Sequence, residues 1–263
     1  MKKLIFIKFG GSLITYKDKP YTPRRDIIRE LSKEIKKLQQ IYSDHAFILG
    51  NGAGSFGHYA ATELNVADGM KSKKQKYGFA LVQSKVKELN KIVVDELLKT
   101  GVNSISIHPS SVVTASKGKA NKIFLDSIKG ILSLGMTPVV YGDIVFDDKK
   151  GSHIFSTENL FEILVSKLYK KSFSVDKVIY LSIVDGVLNA EKKVIPIITQ
   201  KTYSKFKKHL YKTEGYDVTG GMLHKVEKAL KLSKSGIQIY IANGRKNVLA
   251  KILQGKNPGT LIT

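Results

Sequence analysis

Cysteine and tryptophan are both missing from this sequence. Without cysteine there can be no disulfide, no iron–sulfur cluster, no thiolate zinc site and no cysteine nucleophile. No apolar run approaches the roughly 18 residues that a membrane-spanning helix needs. The opening Met1-Lys2-Lys3 followed by Leu4-Ile5-Phe6-Ile7 begins like a signal peptide, but Lys8 ends the apolar run well short of an h-region, so a cytoplasmic location is expected. Acidic residues are scarce: 22 Asp and Glu stand against 44 Lys and Arg, a formal charge of +22. Arginine is scarce too, confined to Arg24, Arg25, Arg29 and Arg245. Base and phosphate recognition in nucleic acids favours the planar, bidentate guanidinium. The lysines are instead spread in short clusters such as Lys71-Ser72-Lys73-Lys74-Gln75-Lys76 and Lys205-Phe206-Lys207-Lys208, interleaved with apolar positions at helical spacing. The expectation is a solvated surface that attracts anions generally, with no specific nucleic-acid partner and no membrane contact.

What is present is an ordinary globular composition, 42% hydrophobic and 25% charged over 263 residues, enough for one large α/β domain or two lobes. Short apolar runs at 4–9, 46–49, 104–107, 137–141, 177–181, 237–241 and 259–262 read as strands. Apolar residues at helical spacing read as helices over 24–42, 76–99, 121–134, 158–170, 220–235 and 248–253. Two short apolar runs around Asp147-Asp148-Lys149-Lys150-Gly151 predict a β-hairpin between residues 142 and 156. Strands alternating with helices imply a three-layer αβα sandwich around a mainly parallel sheet. The rhythm restarts after the hairpin, which divides the chain into lobes of 1–171 and 172–263 sharing one sheet.

Three glycine turns, Gly10-Gly11-Ser12, Gly52 to Gly57 and Gly220-Gly221, sit where strands end or helices begin. In an open α/β sheet, ligands bind at the carboxyl ends of strands, where helix N-termini offer unpaired N–H groups to phosphate. Gly52-x-Gly54-x-x-Gly57 matches the dinucleotide fingerprint, but the region about 20 residues on is basic and not strand-like, so the ribose-binding acid is missing. The same residues fail as a P-loop, because His58-Tyr59 stand where Lys-Ser/Thr belong. An anion-binding turn with a histidine at the helix start remains. There a neutral His58 can donate to phosphate, because a helix N-terminus disfavours the imidazolium. Lys8 lies between Ile7 and Phe9 on a strand, an expensive place for an ammonium unless its tip reaches an anion. Lys225, on the first turn of its predicted helix, follows Gly220-Gly221-Met222. Lysines beside glycine turns suit the charge stabilisation that phosphoryl transfer demands.

These residues carry a resemblance. Lys8-Phe9-Gly10-Gly11-Ser12, Asp185-Gly186-Val187 and Asp217-Val218-Thr219-Gly220-Gly221-Met222-x-x-Lys225 resemble the motifs of the amino-acid kinase superfamily. Gly52-Ala53-Gly54-Ser55-Phe56-Gly57-His58 is similar to the turn of the branch that contains isopentenyl phosphate kinases and fosfomycin kinases. Ile107-His108-Pro109-Ser110-Ser111, Gly142-Asp143-Ile144-Val145-Phe146-Asp147 and Asn243-Gly244-Arg245-Lys246 with Gly259-Thr260 extend the likeness along the whole chain.

The resemblance implies an ATP-dependent kinase using Mg²⁺, with a phosphate as acceptor and isopentenyl phosphate as the leading substrate. The alternative is another small phosphate or phosphonate such as fosfomycin. A homodimer is the accompanying expectation. By resemblance, His58 donates to the acceptor phosphate, and the amides of Gly52, Ala53, Gly54 and Gly57, with Gly10, Gly11 and Ser12, hold phosphate. Lys8, Lys17 and Lys225 stabilise the phosphoryl group in flight. Asp185, Gly186, Asp217, Gly220, Gly221, Met222 and Lys225 hold ATP. An anionic acceptor needs no protein general base. The acceptor's tail is expected beside Tyr77, Phe79, Val82, Val86, Ile144 and Ile154. Three departures stand out. Ser156-Thr157-Glu158 replaces the usual Ser-Gly-Asp, so the acid that orders the lysines is one methylene longer, and only the Thr157 N–H is left to donate. Asn51 and Ala53 replace a common His and Gly, and Ser182-Ile183-Val184 replaces Thr-Asp-Val.

Overall fold

A computed structural model describes residues 2–64, 66, 69–70, 72–169, 173–210 and 221–263, the side chains of 208–210 excepted. Its elements in chain order begin β1 (Lys2–Phe9), α1 (Gly11–Ile14), α2 (Arg25–Ile41), β2 (His45–Asn51), α3 (Gly54–Glu63), α4 (Lys73–Lys99) and β3 (Ser104–Ser106). There follow α5 (Pro109–Val112), β4 (Val113–Ser116), β5 (Lys119–Ile123), α6 (Asp126–Ser133), β6 (Thr137–Tyr141), β7 (Asp143–Asp147), β8 (Gly151–Phe155) and α7 (Thr157–Leu168). The remainder is β9 (Phe173–Ser182), β10 (Ile197–Ile198), α8 (Tyr203–Leu210), α9 (Gly221–Ser233), β11 (Gln238–Asn243), α10 (Val248–Leu253) and β12 (Thr260–Ile262).

The main sheet runs β10-β12-β11-β9-β1-β2-β6-β3, parallel except where β11 meets β12. The strands are buried on both faces, which is why β1 and β2 read as near-continuous apolar runs rather than alternating ones. Side chains still alternate in direction along each strand. Leu4 and Phe6 of β1 pack with α6, α7 and α9 on one face, while Ile5, Ile7 and Phe9 pack with α1, α2, α4 and α10 on the other. Lys8 therefore belongs to the face that α7 covers. Helices on both sides of a mostly parallel sheet make the three-layer sandwich expected from the strand–helix rhythm.

A second sheet, β5-β4-β7-β8, contains the expected hairpin as β7 and β8. The helix predicted over 121–134 begins only at Asp126, and the residues before it form the edge strand β5 paired with β4. Two consecutive left-handed residues, Lys117 (φ 51°) and Gly118 (φ 77°), make the tight turn between these strands. The Asp147 carboxylate then accepts from the N–H groups of Lys117, Gly118, Lys149 and Lys150, tying both hairpin turns together. Those bonds hold the Asp147 carboxyl at about 2 although burial alone would raise it.

Candidate active site

The first two glycine turns lie side by side at the carboxyl ends of β1 and β2. Gly10 donates to Leu181 O at 3.0 Å and Gly52 donates to Phe9 O at 2.9 Å. A side chain on Gly52 would place its Cβ 2.6 Å from the Gly11 nitrogen, and one on Gly11 would strike the Gly54 backbone. Only glycine allows this backbone-to-backbone approach. Thr15 clamps the pair: its hydroxyl donates to Gly11 O at 2.8 Å and accepts from Ser55 N at 3.0 Å. Nothing in the sequence pattern singled out Thr15, because its role depends on two loops meeting.

A cleft of about 780 Å³ opens over these turns. Its wall brings together Lys8, Gly10, Gly11, Ser12, Lys17, Gly52, Ala53, Gly54, Gly57, His58, Val82, Val86, Thr157, Glu158 and Lys225 of the residues expected from the sequence. It also includes Ile154, expected beside the acceptor's tail, whereas Ile144 is buried behind the wall, and it adds Thr15, Ser55, Asp143 and Ser182, among others. His58 and Lys225 are not at the first residue or first turn of their helices. Each is the fifth residue, in α3 and α9 respectively, one turn in. Both side chains therefore project from the second turn into the cleft.

The anion that Lys8 reaches is Glu158. Lys8 Nζ and Glu158 Oε1 are 2.8 Å apart, with side-chain exposures of 4% and 6%. Burial pushes the Glu158 carboxyl up, but the charges of Lys8 and Lys225 and the Lys8 hydrogen bond outweigh it and hold the group at about 2. Glu158 is also the second residue of α7, where the positive end of the helix favours a carboxylate. Its neighbours are locked: Ser156 caps α7 by accepting from Asn159 N at 3.2 Å, and Thr157 Oγ1 donates to Asn51 O at 2.7 Å. The Ser156-Thr157-Glu158 departure thus leaves the helix cap and the lysine-ordering acid in place.

Asp143 is a different acid. It is buried, accepts from Ser110 N at 3.0 Å and Ile144 N at 2.9 Å, and burial pushes it up to about 6 against those bonds. The Gly142-Asp143 motif was visible in the sequence, but its exposure to the cleft was not.

Several expected residues stand elsewhere. Phe79 does not line the cleft; it is half-buried against the cluster of Val82, Val86 and Ile144. Tyr77 is exposed. Asp185 lies beyond the end of β9, accepting from Asn243 Nδ2 at 3.0 Å and facing Arg245 at 3.3 Å. A Cβ on Gly186 would lie 2.7 Å from Thr260 Oγ1, so this glycine serves a close backbone packing. Gly221 opens α9 at φ 54°, and Met222 packs partly against the core. Asp217 and Gly220 lie outside the described residues. Among the described residues no three His, Asp or Glu side chains gather into a metal-holding group, and no helix is long and apolar enough to cross a membrane.

Comparison with known proteins matches this architecture. The isopentenyl phosphate kinase of Methanocaldococcus jannaschii is 33% identical over 268 residues, spanning 98% of both chains. That of Methanothermobacter thermautotrophicus is 31% identical, spanning 99% of both. An X-ray structure of isopentenyl phosphate kinase superposes with a TM-score of 0.81 at 28% identity, covering 98% of this chain and 100% of the other. The family described as the amino acid kinase family matches residues 3–243, and the chain belongs to it.

Proposed function

We propose that the chain transfers the γ-phosphoryl group of ATP to the phosphate of isopentenyl phosphate, giving isopentenyl diphosphate and ADP. The buried Lys8–Glu158 pair at the floor of the cleft, beside two interlocked glycine turns, carries the reading. Whole-length similarity to isopentenyl phosphate kinases supports the choice of acceptor.

In this reaction an oxygen of the acceptor phosphate forms a bond to the γ-phosphorus while the bond to the ADP oxygen breaks. The attacking oxygen is already anionic, so the protein's work is positioning and charge stabilisation. Within the Gly52–Gly57 turn the Ala53 and Gly54 N–H groups hold the acceptor phosphate, because those expected from Gly52 and Gly57 already donate to Phe9 O and Ala53 O, and His58 donates to it from the second turn of α3. Lys8, fixed by Glu158, together with Lys17 and Lys225, neutralises the charge on the phosphoryl group as it moves. Val82, Val86 and Ile154 form the apolar wall for the five-carbon tail, each buried methylene contributing about 0.8 kcal/mol.

Residues 1–171 present the acceptor and 172–263 the nucleotide, with Gly10 to Ser12 between them. Around ATP this reading places the Asp185–Gly186 segment, Asp217, Gly220, Gly221 and Met222. Mg²⁺, which neutralises phosphate charge, fits as a passenger on the nucleotide, since among the described residues the cleft offers lysines and no three carboxylates gathered into a cage. The working form is a cytoplasmic homodimer.

The test is ATP consumption across isopentenyl phosphate, dimethylallyl phosphate, fosfomycin and acetylglutamate, repeated with His58→Ala. Isopentenyl phosphate should be turned over fastest, and His58→Ala should lower kcat by about 10²–10³ with little change in Tm, the scale of losing one preorganised donor. Faster turnover of fosfomycin, or a fully active His58→Ala enzyme, would overturn the reading.

A further inference from the structure

A one-directional chain of hydrogen bonds reaches the second glycine turn from behind. Ser106 Oγ on β3 donates to Asn90 Oδ1 in the middle of α4. Asn90 Nδ2 donates to Asn51 Oδ1 at 2.8 Å, and Asn51 Nδ2 donates to Gly52 O at 3.3 Å. Asn51 and Asn90 are 0% and 1% exposed, and neither belongs to the cleft wall. The neighbours of Asn90 on its helix, Val86, Leu89 and Val93, are apolar core, so an amide there is a costly choice unless its bonds are needed.

Those bonds determine the direction of one peptide group. The Asn51 carbonyl is already taken by Gly142 N at 3.1 Å and Thr157 Oγ1 at 2.7 Å, which leaves the Asn51 side chain to engage Gly52 O. A trans peptide is planar with its C=O and N–H opposed. Holding Gly52 O towards Asn51 therefore turns the Ala53 N–H the other way. Among the described residues the Ala53 and Gly54 N–H groups have no protein acceptor, as the start of a helix leaves them free for an anion.

We infer that Asn90 is a positioning residue for phosphate: acting through Asn51, it sets the Gly52–Ala53 peptide so that the turn's N–H groups meet the acceptor's phosphate. The inference rests on the reading of this turn as the acceptor-phosphate site, and it adds a residue of α4 remote from the chemistry.

The experiment combines Asn90→Ala, Asn51→Ala and the double variant with two readouts. The first is amide NMR of Ala53 and Gly54 during titration with inorganic phosphate, which needs no assumption about the acceptor's tail. The second is steady-state kinetics with whichever acceptor the wild type uses. Wild type should show phosphate-dependent shifts of both amides. Each single variant should weaken phosphate binding and lower kcat/KM for the acceptor by about five- to tenfold, the size of one buried hydrogen bond, with KM for ATP kept. The double variant should be no worse than Asn51→Ala, because Asn90 acts through it.

A purely structural role predicts lower Tm with unchanged phosphate affinity and unchanged kinetics well below Tm, and that result overturns the proposal, as does additivity of the two substitutions. Asn90→Leu, which nearly keeps the volume but has no donor for Asn51, separates the bond from cavity effects: it should behave like Asn90→Ala. If wild-type Ala53 and Gly54 do not respond to phosphate at all, the acceptor-site reading itself fails, an outcome distinct from the failure of the Asn90 variants to differ from wild type.

Discussion

Replacing Glu158 with Gln removes one charge from a pair that water scarcely reaches. The carboxyl sits at about 2 rather than its ordinary 4.5. A displacement of that size corresponds to about 3 kcal/mol of stability at neutral pH. Gln keeps the volume and a hydrogen-bonding oxygen, but Lys8 is left with its charge unbalanced at 3% exposure. Removing one member of a buried pair is costly for that reason. For a chain of this size about 3 kcal/mol lowers Tm by roughly 6–12 °C.

The sign with pH follows from a depressed acid. Its contribution is complete above about pH 4.5, where Glu158 is ionised in folded and unfolded chains alike, and it is lost as pH falls towards 2. Calorimetry of wild type and Glu158→Gln from pH 7 downward should show a constant gap that begins to narrow below about pH 4.5. A variant within about 2 °C of wild type at pH 7 would refute the account of the pair, and so would a gap that widens on acidification.

Lys225→Met keeps the apolar stem and removes the charge, so kcat and kcat/KM should fall together by about 10²–10³ with KM for ATP little changed. A change confined to KM would make Lys225 a ground-state nucleotide binder. Val82→Asp should raise KM for isopentenyl phosphate at least about tenfold while ATP affinity is kept, checked on folded protein by circular dichroism. Val82→Thr, near-isosteric, should move KM the same way by a smaller factor if the aspartate fails to fold. Phe79→Ala, behind the cleft wall, should lower Tm without a selective effect on the acceptor's KM; a selective rise would return Phe79 to the pocket.

Local periodicity made most of the fold legible. The α2 stripe of Ile28, Leu31, Ile35 and Leu38 is buried as its spacing demands, and the apolar runs of β1, β2 and β6 form the centre of the sheet. The edge strand β5 was not legible, because Lys119–Ile123 is polar and mostly exposed and its existence depends on pairing with β4. Glycine spacing marked the two turns at the ends of β1 and β2, and the misplaced charge of Lys8 announced that an anion must meet it.

By itself, then, the sequence determined the alternation of strands and helices, the glycine turns and the family, since each is written in neighbouring residues. Only the tertiary structure decided which acid meets Lys8, that Thr15 joins two turns, that Phe79 stands behind the wall rather than in it, and that Asn90 reaches Asn51. These are contacts between segments far apart in the chain, and their geometry follows from how the sheet orders its strands and which face each helix covers.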